Sequence, residues 1–533
     1  MYYLFARVSA LLWLLLDWLG LYNPPKIPGI LSIPGYPIVG NLLQVLSNPA
    51  EVYMKWSDKH EASLFQVQLG AQRMVVVNKY QDVYNLWVKH SFATASRPVL
   101  YTFHDIVSAT QGFTVGSTPF CPSYVLKKKT LASNLNKKAV SELSGVFDKE
   151  VNYTIRNLIL DNRELLGPPS CNIYRNFRNE SCDIDLYRYF QLFALRSSVY
   201  ITYGLHLDCY RRDGPFCQDI IDIEAQIMRY RSTTSNLADY IIPLRYLPGV
   251  SKYPEYIRGR RDFYMEDLMD SMKRRYAREE HPIKTNLVAK IASKNCLLTD
   301  LELKSICLTM VSAGLDNTPL TMNYLMGQLS HPHGEKQQER AFNELMRISG
   351  NRLISAWEAA ATEQNCDYIT ALVYEALRSF SVLPLGLPRV TTKDITYKDV
   401  TIPAGTTLVM NAYAANHDEN VFENPYQFNP NRWLDTNGNL LHNLNKFHLT
   451  FGLGTRMCSG NHLAMAEMYT LTCRMILMFK IKAPTGPLLM VLDPFRNNRN
   501  SGGTSFEPKP FKVRLEPRVW SGSDTLYYRL MRQ

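Results

Sequence analysis

The sequence predicts one large, mainly α domain with small β-sheets, set behind an N-terminal membrane anchor. Three patterns point to it. A capped apolar run from about Thr299 to Ser330 has the length of a long buried helix. Two short alternating segments, Leu64–Gly70 and Arg73–Asn78, read as a pair of strands closing like a hairpin. The 533 residues, 46% hydrophobic and 20% charged, contain no Gly/Ser linker, low-complexity tract or repeat that would divide them. The resulting boundaries are an anchor helix over 1–22, a proline-rich hinge over 23–50 and one domain over 51–533.

The anchor, Met1 to Tyr22, is apolar except at Arg7 and Asp17, and is only just long enough for a span of about 20 residues. No small-x-small cleavage site follows it, so an uncleaved anchor is favoured over a signal peptide. The hinge carries Pro24, Pro25, Pro28, Pro34 and Pro37, which forbid helix and stiffen the chain. A helix and short strands follow between Glu51 and Lys79, and the stretch from about 140 to 290 is helical with basic loops. The long helix opens on a capping box, Thr299-Asp300-Leu301-Glu302, and stops at His331-Pro332. Inside it, Pro319 cannot donate to the Leu315 carbonyl, so the helix is expected to open there, with Gly314 completing a groove. Ile402–Thr407 is a strand turn, and Lys509–Leu515 a closing strand.

The formal charge is +11, which suits an anionic membrane or an acidic protein surface. Nucleic acid is excluded as a partner, since the chain has neither a Lys/Arg-rich tail nor zinc-finger spacing. The ten cysteines are scattered with no CxxC pair, which argues against zinc and against a compact disulfide framework. Mostly reduced thiols facing a cytosolic compartment are expected.

One cysteine stands apart. In Phe451-Gly452-Leu453-Gly454-Thr455-Arg456-Met457-Cys458-Ser459-Gly460 it lies between glycines that let the backbone turn and approach something flat and bulky. The helix starting at Asn461 would aim its free N–H groups at a thiolate. The stretch resembles the haem-binding signature of the cytochromes P-450, Phe-x-x-Gly-x-Arg-x-Cys-x-Gly, in which the cysteine thiolate ligates the iron of haem b. The resemblance implies that Cys458 is the metal ligand, and that Phe451, Gly454, Arg456, Gly460 and Arg389 contact the cofactor. It also implies a basic residue among Lys127, Lys128 and Lys129 beside a haem propionate. The tryptophan usual just upstream is absent, with Phe120 as its stand-in. Arg389 and Arg456 are the expected propionate partners, since a guanidinium matches a carboxylate with two bonds, and His448 is a further candidate.

Ser312-Ala313-Gly314-Leu315-Asp316-Asn317-Thr318-Pro319 resembles the family's oxygen-binding helix, with Asn317 where Thr is usual. Thr318 lies about 100° further round the helix and does not simply replace it. Asn317 is expected to orient a proton-delivering water, with Asp316 feeding the relay and Thr318 alongside. Tyr374-Glu375-Ala376-Leu377-Arg378, followed by Phe428-Asn429-Pro430-Asn431-Arg432-Trp433, resembles the family's buried ion triad of Glu375, Arg378 and Arg432. Ala95-Ser96-Arg97-Pro98 resembles its Ser-Arg-Pro turn. Asp219–Leu244 and Met410–Asp418 resemble the fungal phenylacetate hydroxylases.

The resemblance implies an endoplasmic-reticulum enzyme, single-pass, with a cytoplasmic catalytic domain. It would insert one atom of O2 into a small organic substrate, either a phenylacetate-like aryl acid or an intermediate of fungal secondary metabolism. No glycine-rich dinucleotide turn opens a βαβ unit, so electrons from NADPH would come through a separate NADPH-cytochrome P-450 reductase. Two alternatives share the cysteine. A haem-thiolate enzyme rearranging a peroxide or dehydrating an oxime without a reductase would account for Asn317. A non-catalytic haem-binding sensor gives no reason for the groove or the anchor.

Overall fold

The computed structural model describes residues 24–162, 182–232, 236–278, 286–293, 298–441, 447–518 and 523–532. The predicted anchor lies outside them. Among the described residues no helix is long and apolar enough to cross a membrane.

The long helix, Asp300–Ser330, is the spine around which the other helices gather. Its capping box is formed: the Thr299 hydroxyl accepts from the Glu302 amide at 3.3 Å, and the Thr299 amide donates to the Glu302 carboxylate at 2.9 Å. Almost every residue from Ser305 to Ser330 is buried. Helices Tyr187–Tyr203, Asp367–Phe380 and Asn461–Met478 all pack against it. This packing corrects the expectation of an opening at Pro319, because the helix runs unbroken through that residue. An interior proline costs about 3 kcal/mol, less than burial of several apolar side chains returns at about 1.5–3 kcal/mol each.

To one side lies a five-stranded sheet in the order Leu31–Ser32, Leu64–Leu69, Gln72–Val77, Thr407–Met410, Arg389–Val390. The predicted hairpin is its centre, with Phe65 opposite Val76 and Val67 opposite Met74. The proline-rich stretch is part of this layer. Leu31 pairs in parallel with Phe65, Ile27 and Ile33 are buried, and the Gln66 side chain bonds the amide and carbonyl of Ile27. A second sheet carries the closing strand, Val513–Pro517, between Cys182–Ile184 and Phe479–Lys482. Cys209 and Cys217 are disulfide-bonded, while Cys121, Cys307, Cys366, Cys458 and Cys473 are free.

Candidate active site

Cys458 sits between a short turn, Gly454–Arg456, and the helix Asn461–Met478. Its amide donates to the Phe451 carbonyl at 2.9 Å, which closes the loop. Gly454 has φ +60°, and a Cβ there would overlap the Trp87 carbonyl. The close approach of residue 87 therefore requires a glycine at this position. At Gly460 the nearest atom to an added Cβ is the Cys458 sulfur, 3.9 Å away. Cys458 is exposed by surface area, although enough of the chain surrounds it to desolvate the thiol. Burial pushes its thiol pKa up, while the Gly460 amide and the Lys128 ammonium pull the other way.

Beside the loop three guanidinium groups converge. Arg389 donates to the Leu453 carbonyl and, at 3.4 Å, to the Thr94 hydroxyl. Arg456 donates to the carbonyls of Gly116 and Thr118 at 3.0 and 2.9 Å and lies 3.8 Å over the Tyr124 ring. Arg97 donates to the carbonyls of Gly116, Leu387 and Pro388. Burial depresses all three, and for Arg389 and Arg97 a neighbouring charge adds to it: Arg389 falls to about 9 through burial and then the charge of Arg456. Arg97 is held well below its usual range by burial, then Arg456, then Arg389. Among the described residues none of the three forms an ion pair, and Arg456 Nη1 has no hydrogen-bond partner. Buried cations held only by carbonyls are costly unless a counter-charge completes them. The missing charge is that of a multivalent anion, and the two propionates of haem fit it.

The three lysines divide. Lys127 is buried and bonded to the Phe113 carbonyl and to the Thr118 and Ser305 hydroxyls, while Lys129 is exposed. Lys128 donates to the Met457 carbonyl. Burial lowers its pKa to about 8, with Cys458 opposing the shift and Arg456, Arg389 and Arg97 adding to it. Lys128 therefore faces the cluster. Phe120 is largely exposed, and Tyr124, four residues before Lys128, stands in the site instead. Its hydroxyl donates to the Thr455 carbonyl at 3.0 Å.

The long helix supplies one wall of a cavity with Thr309, Ser312, Ala313 and Asn317; Arg97, Phe103, His104 and Arg231 lie around it. Asn317 donates to the Ala313 carbonyl at 3.4 Å, and its Oδ1 has no partner. Asp316 is buried beside it, and Thr318 is buried without lining the cavity. Burial raises Asp316 to about 7, helped by Glu224 and Glu507 and opposed by Arg231 and Arg499. Gly314 corrects the groove reading, because its missing side chain makes room for the Ser198 hydroxyl of the neighbouring helix.

Below the cysteine loop the ion triad is assembled. Arg378 holds Glu375 with two bonds of 2.8 and 2.9 Å, and both side chains are fully buried. Arg432 donates to Glu375 at 3.1 Å, and the Trp433 indole and Asn429 amide complete the carboxylate. His448 stacks among Tyr374, Trp433, Phe447 and Phe451 with neither ring nitrogen bonded. Burial, then the Arg378 charge, lowers it to about 3, so it is a neutral ring among aromatics.

Residues 31–514 match the Cytochrome P-450 family. The chain belongs to the cytochrome P-450 family. It is 37% identical over 514 residues, 96% of this chain and 94% of the relative, to phenylacetate 2-hydroxylase of Emericella nidulans. It is 32% identical to 3-hydroxyphenylacetate 6-hydroxylase of the same organism, over 92% of this chain and 90% of the relative. A cytochrome P-450 monooxygenase of Mycosarcoma maydis is 34% identical, with 91% and 86% covered. This P-450 is thus an oxidoreductase, a haem-thiolate monooxygenase with haem b as cofactor, a small organic substrate and a redox partner.

Three residues of the site were not assigned from the sequence, Arg97, Tyr124 and Arg231, and Lys128 stood only as one of three candidate lysines. Arg97 stood only as part of a turn, although an arginine beside a proline in a loop between apolar stretches is a signal. Tyr124 and Lys128 are four apart on one helix face, which the run of three lysines obscured.

Proposed function

We propose that this chain hydroxylates the ring of a phenylacetate-like aryl acid, taking electrons from NADPH through NADPH-cytochrome P-450 reductase at the cytoplasmic face of the endoplasmic reticulum. Residues 1–22 would hold it there. The observation that carries the reading is the unpaired cluster of Arg97, Arg389 and Arg456 beside Cys458, together with the likeness to two hydroxylases named for phenylacetates.

Haem b, when bound, supplies the redox chemistry by which one atom of dioxygen enters a substrate C–H bond and the other leaves as water, at the expense of two electrons and two protons. The chain's own residues do the rest. Cys458 would hold the iron through its thiolate, whose negative charge is favoured by the Gly460 amide and the Lys128 ammonium against the cost of burial. Arg97, Arg389 and Arg456 would hold the propionates, and Phe451 closes the cysteine loop through its carbonyl. Asn317 offers a free Oδ1 to a water in the cavity. Asp316, titrating at about 7, holds a proton that such a water can relay.

Two measurements test this. Cys458→Ser should abolish the shifted Soret band of the reduced CO complex; a mutant that kept it would remove Cys458 from its role. A panel of aryl acids and larger aromatic compounds, titrated by Soret shift, should show the aryl acids binding. Binding confined to the larger compounds would overturn the substrate class. Turnover with peroxide but none with reductase would overturn the monooxygenase route.

A further inference from the structure

We propose that Arg231 is the residue that receives the substrate's carboxylate and so selects aryl acids; this rests on the aryl-acid reading above. Arg231 lines the cavity beside Ser312. Its Nη2 donates to the Ser312 hydroxyl at 3.2 Å and its Nη1 touches the Met228 sulfur at 3.4 Å, both neutral groups. Its Nε is buried and has no partner among the described residues. No carboxylate there lies within ion-pair distance of it, although Asp316 and Glu224 act on it from further away.

A guanidinium in this state is unfinished. Burial, and after it the charge of Arg261, pulls its pKa down, and an unbonded Nε–H is a costly donor to leave in a wall of Phe103, Leu100 and Met228. A ligand carboxylate can accept from that donor while it neutralises the charge. The Phe103 ring, 4.9 Å from the guanidinium carbon, steadies the group through its π-face without satisfying any N–H.

The placement also orients the arene. Ser312, which Arg231 bonds, and Asn317, with its free Oδ1, lie five residues apart on the same helix. That separation is about 7.5 Å along the axis, close to the length of a benzene ring carrying a one-carbon acid arm. A carboxylate held at the Arg231 end leaves the ring against Ala313 and Asn317, the stretch of helix assigned above to proton delivery. Arg231 also falls within the segment 219–244, so a change there would alter substrate choice while leaving the cysteine loop intact.

The test uses the haem-loaded full chain and two probes of nearly one shape, phenylacetate and its neutral amide, phenylacetamide, titrated by Soret shift. The wild type should bind the acid more tightly. Arg231→Met should weaken the acid at least about 30-fold, the low end for truncating a hydrogen-bonded charge pair, and shift the amide by no more than about twofold. Arg231→Lys, which keeps the charge and loses the fork, should fall between, with its loss confined to the acid; it also serves if the methionine variant does not fold. Equal weakening of both probes would make Arg231 a structural residue. Unchanged acid binding in either variant would sink the proposal while leaving the aryl-acid reading standing. A wild type that prefers the amide, or binds neither probe, would overturn that reading and the proposal with it.

Discussion

Replacing Glu375 with Gln keeps the shape of the side chain and removes one buried charge. In the wild type that carboxylate accepts from two nitrogens of Arg378, from Arg432, from the Trp433 indole and from the Asn429 amide. The amide cannot accept all of them, and its NH2 would face a guanidinium. Two arginines, Arg378 fully buried and Arg432 nearly so, would then share no counter-charge. Leaving a buried charge uncompensated costs ~3–5 kcal/mol. At roughly 2.1 cal/mol/K per residue, unfolding 533 residues carries an entropy near 1.1 kcal/mol/K. The expected fall in Tm is therefore about 3–5 °C, followed by differential scanning calorimetry on the haem-loaded protein. Because Trp433 and Asn429 bond different oxygens of Glu375, one of them loses its acceptor whichever way the amide is turned, and haem retention after gel filtration should fall as well. A Glu375→Gln protein with wild-type Tm and full haem content would refute the claim that this carboxylate braces the core.

Other outcomes follow from the same geometry. Asn317→Ala removes the free Oδ1, so product formed per NADPH consumed should drop; an unchanged ratio would show that the amide does not guide protons. Asp316 titrates at about 7, so proton delivery should fade as pH rises past 7, and Asp316→Asn should erase that limb of the turnover profile; persistence of the limb would assign it to another group. Glu467 is buried, and burial raises it to about 8 against the Ser197 hydroxyl. Because its folded pKa lies above the unfolded value of 4.5, its cost is absent below pH 4.5, grows to pH 8 and is constant beyond. Glu467→Gln should therefore gain Tm over the wild type between pH 5 and 8, and an equal gap at both would contradict the assignment.

What the residues revealed beforehand was local, and what they hid was distant. The capping box at Thr299, the pairing of Glu375 with Arg378 and the hairpin at 64–77 depend on neighbours a few positions apart, so spacing suffices to read them. Arg97 meets carbonyls 19, 290 and 291 residues away, and no periodicity encodes that. Arg231 was part of a recognised segment, but its open Nε emerges only when Ser312, 81 residues on, is placed beside it. Pro319 misled because propensity was weighed without the helices that clasp the long helix on several sides. Gly314 misled in a related way, since it makes room for the Ser198 hydroxyl of the helix packed beside it. The Cys209–Cys217 bond spans a turn with no sequence signature of its own.

The three arginines beside the cysteine loop tie together carbonyls from three separate stretches: Gly116 and Thr118, Leu387 and Pro388, and Leu453. Their charges repel, so those stretches are drawn together by bonds and pushed apart by electrostatics at once. A dianion inserted among them removes the repulsion and keeps the bonds. Ligand that binds only the folded chain adds stability by mass action, and here the gain should be concentrated where loops 113–118, 383–390 and 451–458 meet. The haem-free protein should accordingly exchange amide hydrogens fastest along that seam, while the Glu375 end of the same core stays closed.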